Sequence, residues 1–308
     1  MRHVAVIIAT SMESTAGSAR LAAPGVALVA LMLGATCIAL SPIFVRVSEA
    51  GPTPTAFWRV AIAVPALWLA AALAPGARGA PYARLRPLLV AAGFAFAGDL
   101  AFWHASIELT SVANSTLLAN LASVFVTLAA WRLWRQRPSA LFVVGLVAAL
   151  AGVATLVRAS STSFPAAPAG DALGVVTAMF YAGYLLAVKG LRDRGADTLS
   201  LMAITTSVTA LILLPVALAS GQPFLPQTGS GWLNLVGLAL VSHVAGQGLI
   251  AYSLAVLPAP FSSVSLLLQP VMAAMFAWAL LGEPLMPLQV AGGTVVLAGI
   301  YLARRGSR

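Results

Sequence analysis

With 308 residues, of which 60% are hydrophobic and only 8% charged, the chain lies far from a soluble domain, where about 25% of residues carry charge. That composition marks an integral membrane protein, so membrane spans replace domains as the unit of organisation. A formal net charge of +9 raises nucleic-acid binding, and the placement of the basic residues removes it below.

Residues 1–24 hold a short apolar stretch, Val4 to Ala9, and then a polar segment with Glu13 and Arg20. A signal peptide needs a longer apolar core and a small-residue cleavage site, so a disordered cytoplasmic tail is expected here. Ten apolar runs follow: Gly25–Val45, Pro54–Ala74, Pro87–Ile107, Val112–Trp131, Ser139–Val157, Gly170–Gly190, Thr198–Ala219, Trp232–Ser253, Pro260–Leu281 and Leu285–Ala303. Each is close to the ~20 residues that cross the hydrocarbon core as a helix. Lipid offers no partner for backbone polar groups, and the runs lack the alternation of barrel strands, so helices are predicted. Pro54, Pro87, Pro138 and Pro284 stand at their ends as punctuation. Cys37, inside the first run, has no second cysteine to pair with and reads as a packing residue.

Lys and Arg favour the cytoplasmic side. With the N-terminus inside, 14 of the 17 basic residues fall on that side: Arg2, Arg20, Arg78, Arg84, Arg86, Arg132, Arg135, Arg137, Lys189, Arg192, Arg194, Arg304, Arg305 and Arg308. Arg46, Arg59 and Arg158 fall at or near the other face. The positive charge is a topology signal, and no nucleic-acid partner is expected. Trp131 and Trp134 at an inner boundary, with Trp58 and Trp232 at outer ones, fit an interfacial aromatic belt.

A repeat runs at an offset of 147 residues: LAGV at Leu150 recurs as LAGI at Leu297, Gly145 meets Gly292, Ser115 and Thr116 meet Ser262 and Ser263, and Arg158 meets Arg305. Five spans is an odd number, so the second copy must enter the membrane upside down. Loop charges agree. The loop after span 2 carries Arg78, Arg84 and Arg86, whereas its counterpart after span 7, SGQPFLPQTGSG, carries none, and Arg132, Arg135 and Arg137 after span 4 face only Glu283 after span 9. The expected fold is an all-α membrane protein of ten transmembrane helices in two inverted five-helix repeats, residues 25–158 and 165–305, with a site near the midplane between them.

The segments ALSPIFVRVSEAGPTPTAFWR from Ala39, GDLAFWHASIELTSVANSTLLANL from Gly98, YAGYLLAVKGLR from Tyr181, SHVAGQGLIAYSLAVLPAPFSSVSLLLQP from Ser242 and LLGEPL from Leu280 resemble the drug/metabolite transporter superfamily, EamA type. The resemblance covers nearly all of residues 25–305. It implies ten helices in two inverted repeats and, commonly, export of amino acids or other small metabolites from the bacterial cytoplasm. One departure is Ser123, where the family pattern calls for proline after LLANLA and where the second repeat keeps Pro270. That puts a kink in span 4 in question.

Asp99 lies well inside span 3, where an acid costs about 2.5–3.5 kcal/mol to insert. At the repeat offset it corresponds to Gly246, beside Gln247 and three residues after His243. If spans 3 and 8 face one another, Asp99 and the i, i+4 pair His243/Gln247 point into one cavity. There they would hold substrate polar groups or exchange a proton; the alternative is a static interhelical hydrogen bond. His104, roughly 140° around the helix from Asp99, points elsewhere and is a secondary candidate. Arg59, beside Trp58, reads as a guanidinium for a substrate carboxylate, or as an arginine reaching the headgroups or pairing with Glu49 or Glu108. Asn114, Asn120 and Gln269 read as substrate contacts or interhelical hydrogen bonds. Tyr181 and Tyr184, three apart, read as cavity hydroxyls or core. Pro42 and Pro270 are candidate helix breaks near the site.

An intramembrane enzyme is disfavoured: no HExxH occurs, Cys37 has no neighbouring His, and Asp99 is the one acid well inside a span. A receptor or scaffold does not call for an inverted repeat. The alternative within transporters is a proton-coupled multidrug exporter; small four-span members of the superfamily carry an acid in span 1, and Gly25–Val45 has none. The expectation is a secondary transporter that exports amino acids or other small polar or zwitterionic metabolites across the bacterial inner membrane by alternating access. Protons are a candidate coupling ion, and no cofactor or metal is called for. Nothing resembles a nucleotide-binding loop.

Overall fold

A computed structural model describes residues 23–74, 82–110, 112–135, 137–160, 168–282 and 284–307. The expected tail over residues 1–24 lies almost wholly outside the described residues, as do Arg78 and Glu283. Regular structure among the described residues is helical throughout. Among them, nine helices are long and apolar enough to cross a bilayer: span 1 Pro24–Arg46, span 2 Pro52–Leu73, span 3 Tyr82–Leu109, span 4 Asn114–Trp134, span 5 Ala140–Arg158, span 6 Pro168–Asp193, span 7 Thr198–Ala219, span 8 Gly229–Ser253 and span 9 Ala259–Leu280. Span 10, Pro287–Gly306, adds 20 residues, about 30 Å of helix, and completes the ten.

The starts follow local chemistry. Prolines stand in the first turns of spans 1, 2 and 10, where the missing N–H has no helical partner to lose. Asp197 caps span 7, accepting from the Ser200 amide at 2.8 Å, and Thr228 caps span 8, accepting from the Gly231 amide at 3.0 Å. Pro87, expected to open span 3, lies inside it instead; the helix begins at Tyr82, whose hydroxyl donates to the Asp197 carboxylate. Large apolar side chains such as Leu73, Leu211 and Leu233 point outward, as lipid-facing positions should.

Inversion of the repeats is visible in the backbone. Spans 5 and 10 touch through glycines: a Cβ at Gly145 would meet Gly299 O at 2.6 Å, and one at Gly152 would meet Gly292 O at 2.7 Å. Rising numbers on one helix meet falling numbers on the other, so the two run antiparallel. Gly145 and Gly292 stand 147 residues apart, as do Gly152 and Gly299, so the contact maps onto itself when the repeats are exchanged. Spans 4 and 9 also end alike, in left-handed residues at the same offset, Arg135 with φ 54° and Gly282 with φ 68°. Glycine adopts that conformation freely, whereas a side chain costs about 1–2 kcal/mol there. Arg135→Gly is therefore expected to stabilise the protein by about 1 kcal/mol, read as a higher thermal midpoint in detergent; an unchanged or lower midpoint would show that the arginine side chain offsets the strain.

The loops between spans 1 and 2 and between spans 7 and 8 meet at one face. The Gly51 amide donates to Pro223 O at 2.9 Å, and Trp58 Nε1 donates to Phe224 O at 2.8 Å. Glu49 accepts from the Thr228 hydroxyl and from the Thr228 and Gln227 amides. Those bonds, the Thr228 hydroxyl foremost, hold its carboxyl below the ordinary carboxylate range.

Candidate functional site

Five spans depart from regular helix where they approach the centre, span 2 with a one-residue break at Ile62 ahead of Pro65. In span 1 the helix breaks at Leu40, because Pro42 has no N–H for the Ile38 carbonyl. Span 9 breaks at Leu266 and Leu267, ahead of Pro270, and the Leu266 carbonyl is taken by the Gln269 amide at 2.9 Å. Span 4 breaks at Asn120 and Leu121 although no proline is present. Tight i, i+3 bonds carry the turn there, with Asn120 Nδ2 donating to Thr116 O at 2.8 Å and the Ser123 hydroxyl to Asn120 O at 2.9 Å. Side-chain bonds to backbone carbonyls therefore accompany the break, and the kink is present without a proline. In span 8, Leu238–Gln247 is a π-helix, a form concentrated at functional positions.

Between these irregular segments lies a cavity with about 130 Å³ of water-accessible volume. Its lining respects the repeat. Ile38 and Leu185, Leu100 and Gln247, Thr116 and Ser263, Ala119 and Leu266, Ala122 and Gln269, and Ser123 and Pro270 all face it, and every pair is 147 residues apart. Twelve of the 21 lining residues are therefore six positions used twice, in keeping with a site near a pseudo-twofold axis.

Six of the residues singled out in the sequence meet in this cavity: Arg59, Asp99, Asn120, Tyr181, Gln247 and Gln269. Arg59, only 5% exposed, lies within electrostatic reach of Asp99 and Tyr181 and lines the cavity; of the two expected partners, Glu49 is engaged by Thr228 and Glu108 by Gln222. Asp99 is half-buried. Buried polar atoms almost always find a hydrogen-bond partner. Here Ser41 Oγ, Arg59 Nε, Thr116 Oγ1 and Gln247 Oε1 line one cavity and have none, while Tyr181 lies within hydrogen-bonding reach of the Gln247 and Gln269 amides. The arrangement offers a cation, an anion, hydroxyls and two amides to a polar solute.

The other four candidates lie elsewhere. His243 is buried, with Nε2 against the Thr206 hydroxyl at 2.9 Å and its ring 5.3 Å from that of Phe96. The expected alignment of His243 with Gln247 assumed an α-helical period, and the π-helix changes the register between them. Tyr184, 60° around the helix from Tyr181 at 100° per residue, is buried under Phe96 and donates to Met202 Sδ at 3.7 Å. Asn114 donates to Asp171, and His104 Nδ1 meets Leu100 O at 2.7 Å. Sequence reasoning passed over Ser41, Trp103, Thr116 and Ser263 as cavity residues. Two signals point to them: Trp103 is i+4 from Asp99 and shares its face, and Thr116 with Ser263 is one of the repeat matches.

The sequence profile of the EamA-like transporter family matches residues 25–158 and 168–305. Two proteins of Archaeoglobus fulgidus, each named an uncharacterized transporter, are similar. One is 28% identical over 209 residues, spanning 66% of this chain and 70% of its own, and the other 26% identical over 220 residues, spanning 71% and 77%. A solved structure, described as the crystal structure of a protein, superposes with a TM-score of 0.74 at 20% identity, over 92% of this chain and 96% of its own; at that identity the likeness is one of fold. Matched in both halves and built as two inverted five-helix repeats, the chain belongs to the EamA-like transporter family of the drug/metabolite transporter superfamily.

Proposed function

We propose that the cavity is the substrate site of a secondary transporter that carries small zwitterionic metabolites, amino acids foremost, out of the bacterial cytoplasm by alternating access between the repeats. The observation that carries this reading is the set of four unpartnered polar atoms, Ser41 Oγ, Arg59 Nε, Thr116 Oγ1 and Gln247 Oε1, that share one cavity with Asp99. The guanidinium suits a carboxylate, bidentate and permanently charged; the Asp99 carboxylate suits an ammonium group. Tyr181, Gln247 and Gln269, from the second repeat, close around the same solute, so that binding engages both halves. Asp99 is also the group at which a coupled proton would reside.

Size supports the reading. A water's share of liquid volume is about 30 Å³, so the cavity holds roughly four waters or one solute of comparable bulk. A drug-sized apolar molecule would exceed it and leave those polar atoms unpaired. The basic residues Arg84, Arg86, Arg132 and Arg137 at one face support a cytoplasmic N-terminus in the inner membrane.

The test compares amino acids in the medium of cells expressing the wild type or Arg59→Gln at matched membrane levels. A class of amino acid should accumulate outside with the wild type and fall about 10- to 100-fold with the variant, the worth of one charge-assisted hydrogen bond. Equal accumulation with both would remove Arg59 from the site, and accumulation with neither would overturn export.

A further inference from the structure

A polar clip joins the hairpin of spans 3 and 4 to the start of span 6. The Ser106 hydroxyl, fully buried on span 3, donates to Gly170 O at 2.7 Å. Asn114 Nδ2, at the start of span 4, donates to the Asp171 carboxylate on span 6 and to the Thr110 hydroxyl at 3.3 Å. The backbones can approach because two glycines, one turn apart on span 6, face the hairpin. A Cβ at Gly170 would meet Leu109 Cβ and Thr110 Cβ at 3.0 Å, and one at Gly174 would meet Leu118 Cβ at 2.9 Å. From Asp171 to Tyr181 is ten residues of span 6, about 15 Å along its axis, so the clip lies between the cavity and the face where spans 3 and 4 join.

The opposite face lacks the same chemistry at the matching positions. At the repeat offset Ser106 becomes Ser253, Asn114 becomes Phe261 and Asp171 becomes Pro24. Ser253 donates within its own helix, to Leu249 O at 2.7 Å, and Phe261 is buried in the core. Two halves related by a pseudo-twofold axis would favour the two open states alike if their gates were alike. These gates differ, and the difference is a charged hydrogen bond with a second bond beside it.

We infer that Ser106, Asn114, Gly170 and Asp171 form a gate clip that holds the transporter closed at the face joining spans 3 and 4, and that breaking the Asn114–Asp171 bond is the step that opens the cavity to that face. The inference rests on alternating access at the proposed site, but its test needs no substrate and fails separately from the substrate assignment. The reporter is Ala273→Cys, on the cavity wall, in a Cys37→Ala background. A membrane-impermeant maleimide is applied to intact cells and to inside-out vesicles. The parent should label readily from one side only. Asn114→Asp sets two carboxylates against each other and should raise labelling from the slow side by about tenfold, in keeping with loss of one hydrogen bond to a charged group. The exchange Asn114→Asp with Asp171→Asn restores an amide facing a carboxylate and should return the rate to within about twofold of the parent. Equal labelling of the parent from both sides, no change with Asn114→Asp at parental membrane level, or failure of the exchange to restore the parental rate would each overturn the clip. Should Asn114→Asp not reach the membrane, Gly174→Ala, which wedges Leu118, is read in its place against the same two outcomes.

Discussion

Asp99→Asn is expected to slow transport at limiting substrate about 10- to 100-fold at matched membrane levels of folded protein. The substitution keeps the shape of the side chain and removes its charge, and a half-buried carboxylate in a membrane is costly to hold. Removing that cost offsets part of what buried Arg59 loses with its anionic neighbour, a loss of about 3–5 kcal/mol where a buried charge pair is broken, so flux is compared at matched levels of folded protein. What disappears is the partner for a substrate ammonium opposite Arg59. Uptake into sealed vesicles over a range of substrate concentration and pH separates the two uses of the carboxylate. A raised KM with an unaltered pH profile indicates recognition, and a flattened pH profile indicates coupling. Wild-type kinetics at every pH would sink both, leaving Asp99 as a structural group.

Gly152→Leu should have the largest effect on the fold itself. A Cβ at this position would lie 2.7 Å from both Gly292 O and Val296 N, and 2.9 Å from Val296 Cγ2. Two of these atoms belong to the backbone of span 10 and cannot rotate aside. Overpacking of this kind costs about 1–3 kcal/mol or more, and leucine adds three further carbons beyond Cβ. Loss of most of the monodisperse protein from detergent extracts is expected, with any remainder melting well below the parent. Gly248→Ala is the matched control: nothing lies within 4 Å of a Cβ there, and alanine favours a helix by about 1 kcal/mol over glycine. Equal losses from the two variants would show that the spans 5 and 10 contact is not a constraint.

The ten spans were legible because hydrocarbon imposes length and apolarity on every helix, so hydropathy alone marks them. The repeat was legible because the close contact between spans 5 and 10 needs glycine at matched positions, which leaves Gly145 and Gly292 in register. Among polar positions, Arg59, Asp99 and Gln247 stood out because lipid-facing positions exclude such groups. Direction was harder to read. Asn114 and Asn120 sit six residues apart, roughly 240° around a helix at 100° per residue, and only the second faces the cavity. The π-helix over Leu238–Gln247 leaves no mark that periodicity can find, and it sends His243 to Thr206. The kink at Asn120, present without a proline, was hidden for the same reason: the polar residues beside it, Asn120 and Ser123, also occur in straight helices.

The two charges in the cavity both belong to the first repeat. Their counterparts at the repeat offset are Thr206 and Gly246, which are neutral. On the alternating-access reading proposed above, the fixed cation and anion would stay together on one half, and a zwitterion held between them would add no net charge. Moving one elementary charge through the membrane potential is worth about 2.3 kcal/mol per 100 mV, and such an arrangement would move none. The concentration gradient alone would then drive flux, and any dependence on voltage would report a proton riding on Asp99.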